Sequence, residues 1–166
     1  MYAERPFVVR PISVEALDDD ILSGLYGYWR ERAGTRAYPL RSDILPEDMA
    51  QVLDRLALLE VLPEAPHFRF RLIGGTAQLA LGARLTGKSL EAIEPKAHSE
   101  AIVDLCQSVV LSAVPEVREI ALTQGPHSFT YSMLVLPLST EGEGVDRLLV
   151  AISWSGDQAP FPLSEA

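Results

Sequence analysis

FRLIGGTAQLALGARLTGKSL, residues 70–90, is the stretch whose reading decides the fold. Gly82-Ala83-Arg84-Leu85-Thr86-Gly87-Lys88-Ser89 fits a phosphate-cradling P-loop letter for letter, with Lys88 placed for phosphate and Ser89 for magnesium. That pattern works only when a buried strand delivers the glycines and a sustained helix follows, because the unpaired amides of the helix hold the anion. Neither flank qualifies. Thr76 to Leu81 reads as a turn or two of helix with little β-branching, and Pro95 arrives within six residues of Ser89. The segment is therefore read as a loop between short helices.

Outward from this loop, Leu58 to Leu62 and His67 to Ile73 read as a hairpin around Pro63-Glu64-Ala65-Pro66, whose prolines cannot continue a ladder. In a straight second arm, Phe68, Phe70 and Leu72 face the core while Arg69 and Arg71 point away. Downstream, a short helical piece at Leu90 to Ile93 precedes a longer helix from about Ser99 to Val114, with Ile102, Leu105, Cys106, Val109 and Val110 as its apolar stripe. Val117 to Leu122, Phe129 to Leu138 and Val145 to Trp154 are β-rich runs separated by glycine-bearing turns, a pattern for antiparallel neighbours.

Upstream, Asp18, Asp19 and Asp20 precede a helical stripe of Ile21, Leu25, Tyr28 and Trp29, with Arg30 and Arg32 near its end and Gly34 to stop it. A second helix is expected from Pro46, Glu47 and Asp48, with Met49, Val52, Leu53 and Leu56 on one face. Residues 1–17 read as an irregular arm, 18–155 as one domain, and 156–166 as a loose tail. Strands segregated from helices in this order make the class α+β, not a parallel α/β sheet.

The 166 residues carry 14 basic against 23 acidic side chains, a formal charge of -9 that opposes contact with nucleic acid or anionic lipid. Cys106 is the only cysteine, so no internal disulfide or multi-thiolate metal site can form. No window is apolar enough to span a bilayer, and the N-terminus lacks a signal-peptide layout, so a soluble cytoplasmic protein is expected.

Tyr28-Trp29 with Arg36, Pro39, Arg41, Asp43, Ile44 and Pro46, then Phe70-Arg71-Leu72, Gly75-Thr76, Gly82 and Thr86-Gly87, resembles the skeleton of a PAS-domain subfamily of alphaproteobacterial single-domain proteins, PAS_5. The resemblance covers about residues 20–155. It implies a five-stranded antiparallel sheet, short helices cupping one face, the N-terminal helices outside, and a sensory or protein-interaction role. It names no ligand and no cofactor.

His67, His98 and His127 are too scattered for a sequence-local metal motif and read as surface or turn residues. Some haem-binding PAS domains take an axial ligand from the longer helix, but His98 falls at the edge of that helix, off its apolar stripe, which argues against haem. Cys106 lacks the asparagine-cysteine-arginine context of flavin-binding light sensors and reads as a buried structural thiol. Arg41 and Asp43 read as a structural clamp, pairing with each other or tying the link to Arg71 or Glu60. Tyr28 and Trp29 read as helix-to-sheet packing.

The expected function is a non-catalytic intracellular PAS-type module that binds a small ligand in the cup, a protein partner, or both. Its pocket wall would be Phe68, Phe70, Leu72, Ile102, Cys106, Met133, Val135 and Ile152. No output domain follows, so a signal would leave through another chain, and homodimerisation is compatible with this. Neither haem nor flavin absorbance is expected. Two other classes stay open: a small α+β enzyme with a pocket acid and base, and a nucleotide-binding protein using Lys88.

Overall fold

Asp19 starts the first helix by accepting the Leu22 amide at 2.9 Å, and Gly34, at φ 62°, ends it with its own amide on the Arg30 carbonyl. This helix, α1 (Asp20–Ala33), buries Leu22, Leu25 and Trp29. The computed structural model describes residues 7–155. Its strands are β1 (Phe7–Ile12), β2 (Leu56–Val61), β3 (Phe68–Ile73), β4 (Glu116–Gln124), β5 (His127–Leu138) and β6 (Arg147–Ser153). Two further helices, α2 (Gly75–Leu81) and α3 (Lys96–Ser112), lie between β3 and β4.

The strands form one antiparallel sheet in the order β1-β4-β5-β6-β2-β3. The expected hairpin supplies β2 and β3, and the expected meander supplies β4, β5 and β6. The α+β class holds, but the sheet has six strands, not five. The extra strand comes from the segment read as an irregular arm: Phe7–Ile12 pairs with β4 from Phe7 opposite Leu122 to Ile12 opposite Val117. Pro11 hid it, since a proline removes a ladder donor; as an edge strand, β1 tolerates that loss. Residues 1–6 of the arm and the tail 156–166 fall outside the described residues.

Side chains divide between the two faces of the sheet. On one face Phe70, Ile120, Phe129, Tyr131, Met133, Val135, Val150 and Ile152 meet Ala77, Ala80 and Leu81 of α2 and Ile102, Leu105, Cys106 and Val109 of α3. This is the cup. On the other, Leu56, Leu58, Leu134, Leu136, Leu149 and Ala151 meet Leu22, Leu25 and Trp29 of α1. Trp29 also donates its indole N–H to the Pro137 carbonyl at 2.9 Å, which fixes α1 on the outer face.

The expected second helix is absent. Pro46–Met49 and Leu53–Arg55 are two 3-10 turns, and Met49 alone is buried in the first. Their amides bond three residues back, Asp48 to Leu45 and Arg55 to Val52, so the apolar positions never sum to a continuous helical stripe.

Candidate functional site

The cup interior gathers seven of the eight expected wall residues: Phe68, Phe70, Ile102, Cys106, Met133, Val135 and Ile152 share one buried cluster. Leu72 does not join them; it is 57% exposed on the outer side. The cause is a bulge. The β2–β3 register runs Phe68 to Val61, Arg69 to Glu60 and Phe70 to Leu59, then skips Arg71 and resumes with Leu72 opposite Leu58. One extra residue in the ladder reverses the side-chain alternation beyond it, so Leu72 takes the face of Leu58 and Ile73 packs inward.

The polar centre of the cup was not legible from the sequence. His98, read as an edge residue, is fully buried at 0% exposure. The helix begins at Lys96, three residues before the expected Ser99, which places His98 one turn ahead of Ile102 on the same stripe. Its Nε2 lies 2.5 Å from the Tyr131 hydroxyl, with the rings edge to face at 5.8 Å between centroids. The Glu94 carbonyl, 3.3 Å from Nδ1, can only accept, which places the imidazole proton on Nδ1 and leaves Nε2 to accept from the Tyr131 hydroxyl. Burial pushes the Tyr131 phenol well above its usual range. Tyr131 carries its own signal in the sequence: it alternates with Met133 and Val135 and so shares their face.

Around this pair the wall is aromatic on one side and aliphatic on the other. Phe129 stacks on Tyr131 at 5.6 Å, Trp154 meets Phe129 edge-on at 5.2 Å, and the Arg55 guanidinium lies 5.5 Å over the Trp154 ring. Cys106 is fully buried, and desolvation pushes its thiol up, so the thiolate needed for nucleophilic or redox chemistry is strongly disfavoured. The Nε2 lone pair of His98, the one an iron would need, accepts the Tyr131 hydroxyl in this structure. Among the described residues, no group of three or more His, Cys, Asp or Glu side chains could hold a metal ion.

Gly82 to Ser89 is a loop on the rim. The helix α2 precedes it and a single 3-10 turn, Leu90–Ala92, follows, so the strand and the sustained helix that a P-loop requires are both missing. Instead the loop pairs with β3: Gly87, at φ 84°, donates its amide to the Phe70 carbonyl at 2.7 Å, and Phe70 returns its amide to the Lys88 carbonyl at 2.8 Å. The Lys88 side chain is exposed.

The expected clamp is built differently. Asp43 accepts the Leu40 amide at 2.9 Å and pairs with Arg36 at 2.8 Å, not with Arg41, and these two contacts, the backbone one foremost, hold its carboxyl below the ordinary range. Glu60 is taken by Arg69, Arg71 and Arg147, at 2.8, 3.4 and 3.9 Å. Tyr28 donates its hydroxyl to Asp48 at 2.7 Å and accepts the Leu45 amide at 3.0 Å, so it ties α1 to the link.

The chain is thus an α+β domain, a six-stranded antiparallel sheet with helices cupping one face and an N-terminal helix on the other. The family profile described as PAS domain, PAS_5, matches residues 19–153, and the chain belongs to that family. PAS domains are, as a class, sensory modules. Among solved structures the chain is similar to one described as an RNA-binding light-oxygen-voltage receptor, at 12% identity and a TM-score of 0.48. That match covers 90% of this chain and 38% of the receptor chain. No curated protein matches the sequence. Among the described residues, no helix is long and apolar enough to cross a membrane.

Proposed function

We propose that this chain is a non-catalytic, intracellular PAS-type module that senses a small, mainly apolar ligand in the cup and passes its state to a protein partner. The observation that carries this reading is the buried His98–Tyr131 hydrogen bond in an otherwise apolar cup. Ligand sites are characteristically apolar walls with a few placed polar groups, and this pair offers both a donor and an acceptor if a ligand separates it. The wall residues Phe70, Ile102, Met133 and Ile152 would supply the apolar contact. A noncatalytic role is supported by the chemistry of the buried groups: Tyr131 and Cys106 both hold their protons firmly, and His98 is engaged at both nitrogens.

The signal would leave through the sheet. Its inner face touches the cup and its outer face carries α1, so displacement of Tyr131 on β5 is coupled to Trp29 through the Pro137 carbonyl on the same strand. Native mass spectrometry of freshly purified protein tests the reading, because it reports retained small molecules and subunit number together. The expected result is a mass increment that denaturation releases, with no Soret or flavin band in the absorbance spectrum. A strictly apo mass that stays unchanged after incubation with cell-extract metabolites would refute the ligand-sensing claim, and a Soret or flavin band that scales with protein would overturn the expectation that the ligand is neither haem nor flavin.

A further inference from the structure

The sheet's outer face carries a concavity of about 380 Å³, separate from the cup. Its floor is formed by Leu56, Leu58 and Leu149, and its walls by Leu53 on one side and Leu72 on the other. The β2–β3 bulge creates the second wall by turning Leu72 outward. Leu53 is 42% and Leu72 57% exposed, so both present apolar surface to whatever enters. No aromatic ring lines the concavity; its apolar surface is aliphatic or thioether, suited to a flexible alkyl chain more than to a planar ring.

Arg41 supplies the polar end. Its backbone amide is anchored on the Ser139 carbonyl at 2.7 Å, and its Nη1 makes a long contact to the Ile44 carbonyl at 3.3 Å. Among the described residues no carboxylate pairs with it, whereas Arg10, Arg32, Arg36, Arg69, Arg71, Arg118 and Arg147 all have acidic partners. Asp43, the nearest acid in sequence, is committed to Arg36 and the Leu40 amide. A half-buried guanidinium with spare donors beside an aliphatic groove selects an anionic head on an apolar tail. No second cation lines the groove, which favours a singly charged carboxylate over a phosphate dianion. The volume lies in the range of small-molecule sites, and the net charge of -9 opposes self-association there.

We propose that this groove binds a medium-chain aliphatic carboxylate, its head on Arg41 and its chain along Leu53, Leu58 and Leu72. The site is independent of the cup, on the opposite face of the sheet.

Isothermal titration of the full chain with decanoate, below its micellar concentration, tests the proposal. One molecule binds per chain, and both Arg41→Gln and Leu72→Glu lower the affinity by roughly tenfold or more, as loss of a charge-assisted contact or a like charge in the groove requires. Decanol, which keeps the chain and lacks the charge, binds as poorly to wild type as decanoate binds to Arg41→Gln. Leu53→Glu repeats the Leu72 test from the other wall, and unchanged urea midpoints show that these surface variants fold. Tyr131→Phe leaves decanoate binding intact, which separates this site from the cup. No binding to wild type, equal affinity for decanol, or binding that survives the groove variants would overturn the proposal. So would a dimer in sedimentation that Leu72→Glu dissolves, since the groove would then be an interface between two copies.

Discussion

Replacing Tyr131 with Phe keeps the ring in the cup and deletes one oxygen, so it isolates the hydrogen bond to His98. In the native protein that bond spans 2.5 Å between two fully buried side chains. Its removal forfeits the net value of the bond, about 0.5–1.5 kcal/mol, and strands a buried acceptor at a cost of about 1–3 kcal/mol. A combined loss of about 2 kcal/mol is a large share of the roughly 5–15 kcal/mol that holds a domain folded. With a urea dependence of about 1–3 kcal/mol per molar, the unfolding midpoint falls by roughly 1 M.

The pH dependence of the same pair of proteins gives a second, signed test. Burial raises the folded-state pKa of Tyr131 above its ordinary 10.0, so the unfolded chain loses that proton first. Wild-type stability from this group is therefore complete below pH 10.0 and declines as pH climbs toward the folded value. Cys106 adds a decline of the same sign that begins near its ordinary 9.0 and is common to both proteins. The stability gap between wild type and Tyr131→Phe must then narrow above pH 10.0. A midpoint within about 0.2 M of wild type, or a gap that stays constant from about pH 8 to about pH 11, would show that the hydroxyl is not held as described.

Two further substitutions test the fold itself. Phe70→Ala, in the cup wall, costs about 3–5 kcal/mol in urea unfolding, whereas Leu72→Ala two positions on stays within about 0.5 kcal/mol because the bulge has turned it outward; equal losses at both sites would restore the straight strand. Gly74→Ala destabilises by about 1–3 kcal/mol or more despite an ordinary φ, since its Cβ would lie 2.5 Å from the Asp54 backbone. Gly27→Ala on α1, where nothing lies within 4 Å of a new Cβ, serves as the opposite control and stabilises by about 0.5–1 kcal/mol in the same assay.

Local chemistry made much of this architecture readable along the chain. Asp18 to Asp20 before an apolar stripe, and Gly34 after it, mark α1 because caps and periodicity act within one or two turns. The alternation of Phe68 with Phe70, and of Met133 with Val135, marks core faces for the same reason, and the flanks of Gly82 to Ser89 argue against a P-loop because the strand and helix it needs are local features. Segment order set the α+β class, and the spaced set from Tyr28-Trp29 to Thr86-Gly87 carried the resemblance to PAS_5.

Other features depend on partners far away in sequence. β1 exists because β4, more than a hundred residues on, offers it an edge, and no local pattern around Pro11 announces that pairing. The bulge at Arg71 is a property of two strands in register, so Leu72 keeps its place in the alternation on paper and loses it in space. His98 and Tyr131 meet across 33 positions, and each looks unremarkable until α3 is laid on β5. The arginine beside the aliphatic groove that has no carboxylate partner among the described residues is likewise decided in three dimensions: Asp43 could have paired with Arg41, and only the packing of the link sends it to Arg36 instead. Sequence determines what short-range hydrogen bonding and periodic burial can specify; the assignment of distant polar groups to one another is decided when the layers close, because only then does exclusion of water make one partner preferable to the rest.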